Sequence, residues 1–149
     1  RISFRHYLDV CCLNRPFDDQ TQDRVHLESE AVIAILRNME SNKWVWISST
    51  VVLFEVNRAP SLDRRRRLLK LCDQASSIVK LDEEIYAAAN ALKEIGFRSY
   101  DALHLACAKK SNVDIFLSTD DKLIKKAIQN IAVTGVKASN PLTWLQEIL

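Results

Sequence analysis

Short apolar runs alternate with longer amphipathic segments along most of the chain. Runs rich in β-branched and aromatic residues predict strands, which we place at residues 6–10, 43–48, 78–81, 114–118 and 131–136. Apolar residues that recur every three to four positions predict helices, which we place at about residues 21–38, 50–56, 61–75, 83–95, 99–110 and 122–129, with another beginning at Pro141. Strands that alternate with helices favour a parallel sheet with helices on both faces.

Several predicted helices carry residues that favour a helix end. Ser48, Ser49 and Thr50 are each suited to cap the helix that follows the second strand. Asp82 is suited to cap a later helix, and Gly96 stands where a left-handed C-terminal cap belongs. These signals support the predicted order of elements.

The composition is that of a globular domain. Of the 149 residues 48% are hydrophobic, which is enough for one sizeable core, so we predict a single domain over residues 1–149. The few Gly and Pro residues and the evenly spread charges argue against a disordered linker. No apolar run approaches the roughly twenty residues of a bilayer span, and the start lacks the apolar stretch of a signal peptide, so we expect a soluble, cytoplasmic protein.

The spacing of the cysteines argues against a zinc site, and the net charge leaves the class of protein open. The four cysteines form no CxxC pair and have no accompanying histidine ligands, so we expect most of them to be reduced core residues and no zinc site. The net charge of +2 is too small to identify a nucleic-acid-binding protein, because the distribution of charge on the surface decides that property.

Four acidic residues fall where the predicted sheet would bring them together. Asp9 ends the first strand, and Asp120 follows the strand at residues 114–118. Asp101 lies in the first turn of a predicted helix, and Glu55 lies on the helix that leaves the second strand. Because ligands of such sheets bind beyond the carboxyl ends of the strands, we expect the four carboxylates to converge at that rim.

A cluster of carboxylates repels itself unless a cation neutralises it. Oxygen ligands without Cys or His suit Mg²⁺ or Mn²⁺, and two such ions can activate a water and stabilise the leaving oxygen of a phosphodiester. An isolated Asp at a strand end or in a first helical turn is more commonly a cap or a solvated residue. That description suits Asp18, Asp19 and Asp121 better than a role as ligands.

These acidic motifs resemble those of the PIN-domain family of nucleases, and within it the toxin ribonucleases of VapC type and their stand-alone relatives. The resemblance spans nearly the whole chain, and its third motif is the most specific. The matching segments are Tyr7-Leu8-Asp9, Ser48-Ser49-Thr50 with Glu55, Ser99-Tyr100-Asp101-Ala102-Leu103-His104-Leu105-Ala106, and Ser118-Thr119-Asp120 with Asp121 as the alternative register.

The resemblance implies a Rossmann-like α/β fold and a metal-dependent endoribonuclease. It implies that Asp9, Glu55, Asp101 and Asp120 are the catalytic acids and hold Mg²⁺ or Mn²⁺, with Glu55 a ligand either directly or through water. By the same similarity Ser118 would help to orient the fourth acid. The family's usual substrate is RNA and its common assembly is a homodimer, and the toxin members have an antitoxin protein as a partner.

Other polar residues are candidates for contacts with the substrate. Asn14 and Arg15 lie in a turn-forming segment close to Asp9, so they are placed to meet a backbone phosphate, as is Ser118. The segment that follows Asp9 departs from the commonest toxins, which leaves the RNA target and the existence of an antitoxin open. In the basic run Arg64–Arg67 only some side chains can face one ligand, because successive helical residues point in different directions.

Three further residues have two interpretations each. His104 is either a proton carrier or phosphate contact near Asp101 or, as its apolar helix favours, a hydrogen-bonded structural residue. Trp44 and Trp46 share one face of a strand and indicate core or dimer interface more than a base-stacking platform.

Two other functional classes remain to be weighed against a nuclease. The first is a catalytically inactive PIN-like module that binds nucleic acid or protein, against which the presence of all four acids counts. The second is an aspartyl-phosphate phosphatase, which would need a second Asp two residues after Asp9, where Cys11 stands instead.

Overall fold

The protein, here a computed structural model, is described for residues 3–149; residues 1 and 2 of the predicted domain lie outside the described part. The strands are β1 (Arg5–Leu8), β2 (Val45–Ser49), β3 (Ser77–Val79), β4 (Ile115–Leu117) and β5 (Ala138–Ser139). The helices are α1 (Val10–Asn14), α2 (Asp23–Glu40), α3 (Thr50–Asn57), α4 (Leu62–Cys72), α5 (Glu83–Glu94), α6 (Ser99–Lys110), α7 (Asp121–Gln129), α8 (Ile131–Thr134) and α9 (Pro141–Ile148), with a short 3-10 helix at Arg15–Phe17.

The strands form one parallel sheet in the order β3-β2-β1-β4-β5. Leu8 at the end of β1 lies opposite Leu117 at the end of β4, so the segments that follow these two strands are neighbours. Successive residues of β1 point to opposite faces, where His6 packs against Trp144 of α9 and Tyr7 against His104 of α6. The predicted parallel sheet flanked by helices is therefore confirmed.

The core occupies both faces of this sheet. Trp46, Tyr7 and Phe116 are among the largest side chains that are fully buried. Trp44 is also buried and lies edge-on to Trp144 at 5.2 Å between ring centroids. Both strand tryptophans are thus core residues, one of the two roles that the sequence favours for them.

The predicted strand at residues 131–136 is wrong. Residues Ile131–Thr134 form the short helix α8, and the last strand is β5 at Ala138–Ser139. Strand propensity reports how well a side chain packs on a half-buried sheet, but Ile131 and Val133 are 49% and 43% exposed. Gly135 ends the helix with φ 65°, and its N–H donates to the carbonyl of Ile131.

The segment after β1 also differs from the prediction of a longer strand and a loop. The strand stops at Leu8, and the side chain of Asp9 accepts a hydrogen bond from the backbone of Val10, which starts α1. The 3-10 helix follows directly, held by Arg15 against the buried carboxylate of Glu28. Helical turns therefore replace the predicted loop because polar side chains satisfy their ends.

The remaining helix ends agree with the sequence signals. Of the three candidate caps before α3, Ser49 accepts from the backbone of Val52 at 3.2 Å. Asp82 caps α5 in the same way, and Gly96 after that helix has φ 106°. Across residues 3–149, none of the helices has the length and apolar character that crossing a membrane requires.

His6 makes stability depend on pH. Burial lowers its pKa from 6.5 to about 4, although a hydrogen bond to Val45 and the charge of Asp114 act in the opposite direction. Between these values the unfolded chain binds the proton and the folded chain does not, so stability falls as pH falls. We expect chemical denaturation to show that the parent loses about 2 kcal/mol more than His6→Phe between pH 7.5 and pH 5. Equal losses in both proteins would contradict this assignment.

Candidate active site

Asp9 lies at the carboxyl end of β1, at the rim that it shares with β4. Its backbone N–H donates to the carbonyl of Leu117 at 2.9 Å, which continues the pairing of the two strands by one residue. One carboxylate oxygen accepts from the backbone of Val10 at 2.8 Å, and the other accepts from the Ser118 hydroxyl at 2.9 Å. The 7% exposed Asp9 is therefore held in one orientation by both strand ends.

Glu55 and His104 complete a compact group with Asp9. Glu55 lies on α3, and His104 is fully buried on α6. Nε2 of His104 donates to the carboxylate of Glu55 and lies 3.9 Å from Oδ1 of Asp9. One ligand atom from each of these three residues lies within 4.8 Å of the other two. The structure thus brings two of the four predicted acids together around a histidine.

A chain of hydrogen bonds fixes the ring of His104. Its Nδ1 is 2.6 Å from the hydroxyl of Tyr7, which is 2.6 Å from the hydroxyl of Ser49. Burial raises the pKa of Tyr7 well above its usual value, so this hydroxyl keeps its proton. The chain connects the first two strands to α6 and directs the other ring nitrogen, Nε2, toward Glu55.

His104 is a buried, hydrogen-bonded residue, as its apolar helix favours, and a role as proton carrier stays a prediction. Burial lowers its pKa, but the hydrogen bond to Glu55 and the charges of Asp9 and Glu55 outweigh burial, so the pKa is raised overall. The residue is a buried, hydrogen-bonded part of the fold, and its partner is an acid of the site. Its spacing of three residues from Asp101 on one helix was the signal in the sequence.

Asp101 is electrostatically coupled to the other acids. It lies in the first turn of α6, and its pKa is raised from 3.8 to about 6. Burial is the largest cause, and the negative charges of Asp9 and Asp120 add to it, while the charges of His104 and Arg98 act in the opposite direction. Carboxylates this close favour either a proton or a cation between them.

Asp120 and the adjacent Asp121 have different surroundings. Asp120 caps α7 by accepting from the backbone of Lys122 at 3.0 Å and of Leu123 at 3.2 Å, and it lines a cavity of about 170 Å³ together with Asp101. Asp121 instead makes two hydrogen bonds to Arg24, at 2.7 and 2.8 Å, and these lower its pKa. The structure therefore places Asp120 beside the other acids and directs Asp121 away from them.

The three predicted substrate contacts occupy different positions. Ser118 is buried, where its hydroxyl donates to Asp9 and accepts from the backbone of Asp120 at 3.1 Å. Asn14 lines a larger cavity that also touches Glu55. The guanidinium of Arg15 is engaged by the carboxylates of Glu28 at 2.8 Å and Asp18 at 3.0 Å, outside the lining of that cavity.

Cys11 is a neighbour of the site that the sequence pattern did not single out. Its Sγ lies 3.4 Å from Oδ2 of Asp9 and accepts from the backbone of Thr119 at 3.3 Å. All four cysteines are free thiols, and Cys11 is half-buried whereas Cys12, Cys72 and Cys107 are buried. The prediction that most of the cysteines are reduced core residues is therefore confirmed.

The donor set fits a hard divalent cation. Carboxylate oxygens of Asp9 and Glu55 face one another around His104, and Asp101 and Asp120 add negative charge nearby. Oxygen-rich sets of this kind suit Mg²⁺ or Mn²⁺. His104 adds a nitrogen to the oxygen-only set expected from the sequence, although that nitrogen already donates to Glu55.

Comparison with known proteins agrees with this architecture. No match was found among curated proteins. A solved structure of VapBC2 from Rickettsia felis, bound to a DNA fragment from their promoter, is similar with a TM-score of 0.57 at 13% sequence identity, covering 92% of this chain and 98% of that chain. At that identity the likeness concerns the fold alone. The model of the PIN domain family matches residues 7–129. The chain belongs to the PIN-domain family.

Proposed function

We propose that the protein, as one domain, is a metal-dependent endoribonuclease that hydrolyses phosphodiester bonds at the rim bearing Asp9. The observation that carries the proposal is the compact group of Asp9, Glu55 and His104, in which one ligand atom of each residue lies within 4.8 Å of the other two. Asp101 adds to this group, because burial first and then the charges of Asp9 and Asp120 raise its pKa to about 6. A protein gains nothing in stability by crowding carboxylates in this way, so a cation and its ligand are the natural explanation. Membership of the PIN-domain family supports the same conclusion.

The residues of the site divide into those that hold a cation and those that orient them. Asp9, Glu55, Asp101 and Asp120 would hold Mg²⁺ or Mn²⁺, which when bound supplies an activated water and neutralises charge on the phosphate. Ser118 orients Asp9 through a hydrogen bond of 2.9 Å. Tyr7 orients Glu55 indirectly, because it fixes the ring of His104 that donates to Glu55.

The reaction itself needs no covalent intermediate on the protein. The oxygen of water forms a bond to phosphorus as the bond from phosphorus to the ribose oxygen breaks. Asp9 is buried to 7% exposure by both strand ends, so its carboxylate is held in place before a substrate arrives. This preorganisation avoids the cost of orienting the acid during the reaction.

RNA cleavage by the purified protein is the direct test. We expect a single-stranded RNA to be cut in the presence of Mg²⁺ or Mn²⁺, and the DNA of the same sequence to be cut more slowly, as gel electrophoresis would resolve. Cleavage of neither nucleic acid would contradict the proposal and favour the inactive PIN-like binding module. Cleavage of DNA alone would contradict the assignment of RNA as the substrate.

An antitoxin protein is the proposed regulatory partner. Support comes from the resemblance of the acidic motifs to toxins of VapC type and from the likeness in fold to VapBC2 of Rickettsia felis. Such a toxin would act on RNA in the cytoplasm. A small neighbouring reading frame that encodes a DNA-binding antitoxin would support the pairing, and a solitary gene would favour a stand-alone nuclease.

We also propose a homodimer. Several large apolar side chains remain exposed, among them Tyr86 at 50%, Ile128 at 56%, Ile131 at 49% and Val133 at 43%. Ile128 and Ile131 line one surface depression, and exposed apolar surface is often covered by a partner. We expect light scattering at micromolar concentration to give twice the mass of the chain, and a monomer under those conditions would remove the proposal.

A further inference from the structure

A cavity of about 800 Å³ opens beside the acidic site. It lies between the 3-10 helix, α3 and α4, and Glu55 forms part of its wall, so it adjoins the catalytic rim directly. A volume of this size is in the range that holds a small molecule or one unit of a polymer. The side chains that matter here are a partly exposed apolar set, Pro16, Phe17 and Ala59, and an arginine set, Arg58, Arg64 and Arg67.

Two members of the basic run Arg64–Arg67 line this cavity, and they have different roles. Arg64 is fixed, because it donates to Asn14 and Asp18 at 3.0 Å and to the carbonyl of Phe17 at 2.7 Å. It therefore holds the 3-10 helix against α4 and shapes the wall. Arg65 and Arg66 do not line the cavity, which agrees with the expectation that successive helical residues point in different directions.

Arg67 is free to exchange its partner. Its side chain is 61% exposed and pairs with Asp63 one turn earlier at 3.1 Å. An exposed pair of this kind contributes little to stability, so a phosphate can displace Asp63 at small cost. Arg58 is also exposed and lies 5.8 Å from the ring of Phe54, so the mouth of the cavity carries two arginines that can reach an anion.

We propose that this cavity is a subsite for the nucleotide next to the scissile phosphate of a single-stranded RNA. The base packs against the apolar set, with Phe17 as the aromatic surface, and the flanking phosphate is contacted by Arg67 and Arg58. The lining carries three arginines against two carboxylates, Glu55 and Asp63, so its net positive charge favours the phosphates of a nucleic acid. The inference rests on the proposed function, since it names part of the substrate of that site.

Equilibrium RNA binding tests the subsite independently of RNA cleavage. The full chain is used with Asp101→Asn and a chelator, so that RNA is not cut, and fluorescence anisotropy reports the affinity for a short labelled single-stranded RNA. Arg67→Glu and the cavity-filling Ala59→Trp should each weaken binding about tenfold. Arg67→Ala should also lower the salt dependence of the logarithm of the affinity by about 0.7, the effect of one lost phosphate contact.

Arg66→Glu is the matched control. It makes the same change of charge at the adjacent position of α4, but Arg66 does not line the cavity. We expect it to weaken binding less than twofold. If Arg66→Glu and Arg67→Glu weaken RNA binding equally, the RNA is attracted to the overall positive charge of the helix, and the inference is overturned.

Two further outcomes have distinct meanings. Unchanged affinity in a folded Ala59→Trp protein, or no RNA binding by the Asp101→Asn background, would overturn the subsite. If Ala59→Trp fails to fold, the affinities of the Arg67 variants still test the subsite, because replacing this exposed side chain does not disturb the core. Binding through the cavity by a parent that never cleaves RNA would contradict the proposed function and leave the subsite standing.

Discussion

Asp101→Asn is expected to abolish RNA cleavage while leaving the fold intact, with a loss of at least roughly a thousandfold in rate. The amide keeps the shape of the side chain and removes the charge that would hold a cation. Asp101 is coupled to both Asp9 and Asp120, so its loss affects the whole group of acids. Cleavage rates on one RNA, with circular dichroism as the check on folding, measure the effect.

Asp121→Asn is the matched control for Asp120→Asn, because the two residues are adjacent and undergo the same chemical change. Asp120 lines a cavity with Asp101, whereas Asp121 is paired with Arg24. We expect Asp120→Asn to be nearly inactive and Asp121→Asn to stay within a few-fold of the parent. Combining Asp9→Asn with Asp101→Asn should be hardly worse than either alone, since groups that act as one unit are not additive. Parental activity in Asp101→Asn would show that the site is assigned wrongly.

Removal of divalent cations should stop cleavage completely, and Mn²⁺ should restore it and stabilise the fold. A ligand that binds only the folded state stabilises it by about 2.7 kcal/mol at a hundred times its dissociation constant. Thermal unfolding should therefore shift upward with excess Mn²⁺ in the parent and stay unchanged in Asp101→Asn. Undiminished cleavage in chelator, or equal stabilisation of both proteins, would exclude the acids as the metal site.

Without a cation, Asp101 should destabilise the folded protein near neutral pH. Its pKa is about 6 in the folded state against 3.8 ordinarily, so the folded state binds the proton more tightly. Protonation of Asp101 therefore stabilises the metal-free folded protein as pH falls from about 7 toward 4. His6 has the opposite effect, because it makes the folded protein less stable as pH falls. Because Asp101 is partly exposed, we expect Asp101→Asn to add only about 1 kcal/mol at pH 7.5, and no gain at pH 4.

The order of elements was largely predictable because periodicity and caps are local properties. Strands and helices alternate as predicted, and the helix ends at Ser49, Asp82 and Gly96 follow local backbone chemistry. The failure at residues 131–136 has a physical reason. A β-branched run forms a strand only if it packs on a sheet, and here Gly135 ends a helical turn before the chain enters β5, which pairs with β4.

The sequence by itself predicted that Asp9 and Asp120 follow strands of one parallel sheet, and that Asp101 begins a helix. These positions depend on hydrophobic pattern alone, and they predict one acidic rim. Only the tertiary structure decided that the two strands are neighbours and which atoms meet at that rim. The hydrogen bonds from Ser49 through Tyr7 to His104 join residues that are more than forty positions apart in sequence. No local pattern encodes such contacts.

The same distinction separates Asp120 from Asp121 and Arg67 from Arg66. Each pair is adjacent in sequence and chemically alike. The resemblance of Ser118-Thr119-Asp120 to a family motif favoured Asp120 over Asp121, whereas nothing in the sequence ranked Arg67 above Arg66. Arg24, which lies on α2, pairs with Asp121 across 97 positions of sequence and leaves Asp120 to the site. Side-chain partners of this kind are set when distant helices pack on the sheet, and that is why the identity of the functional residues belongs to the tertiary structure.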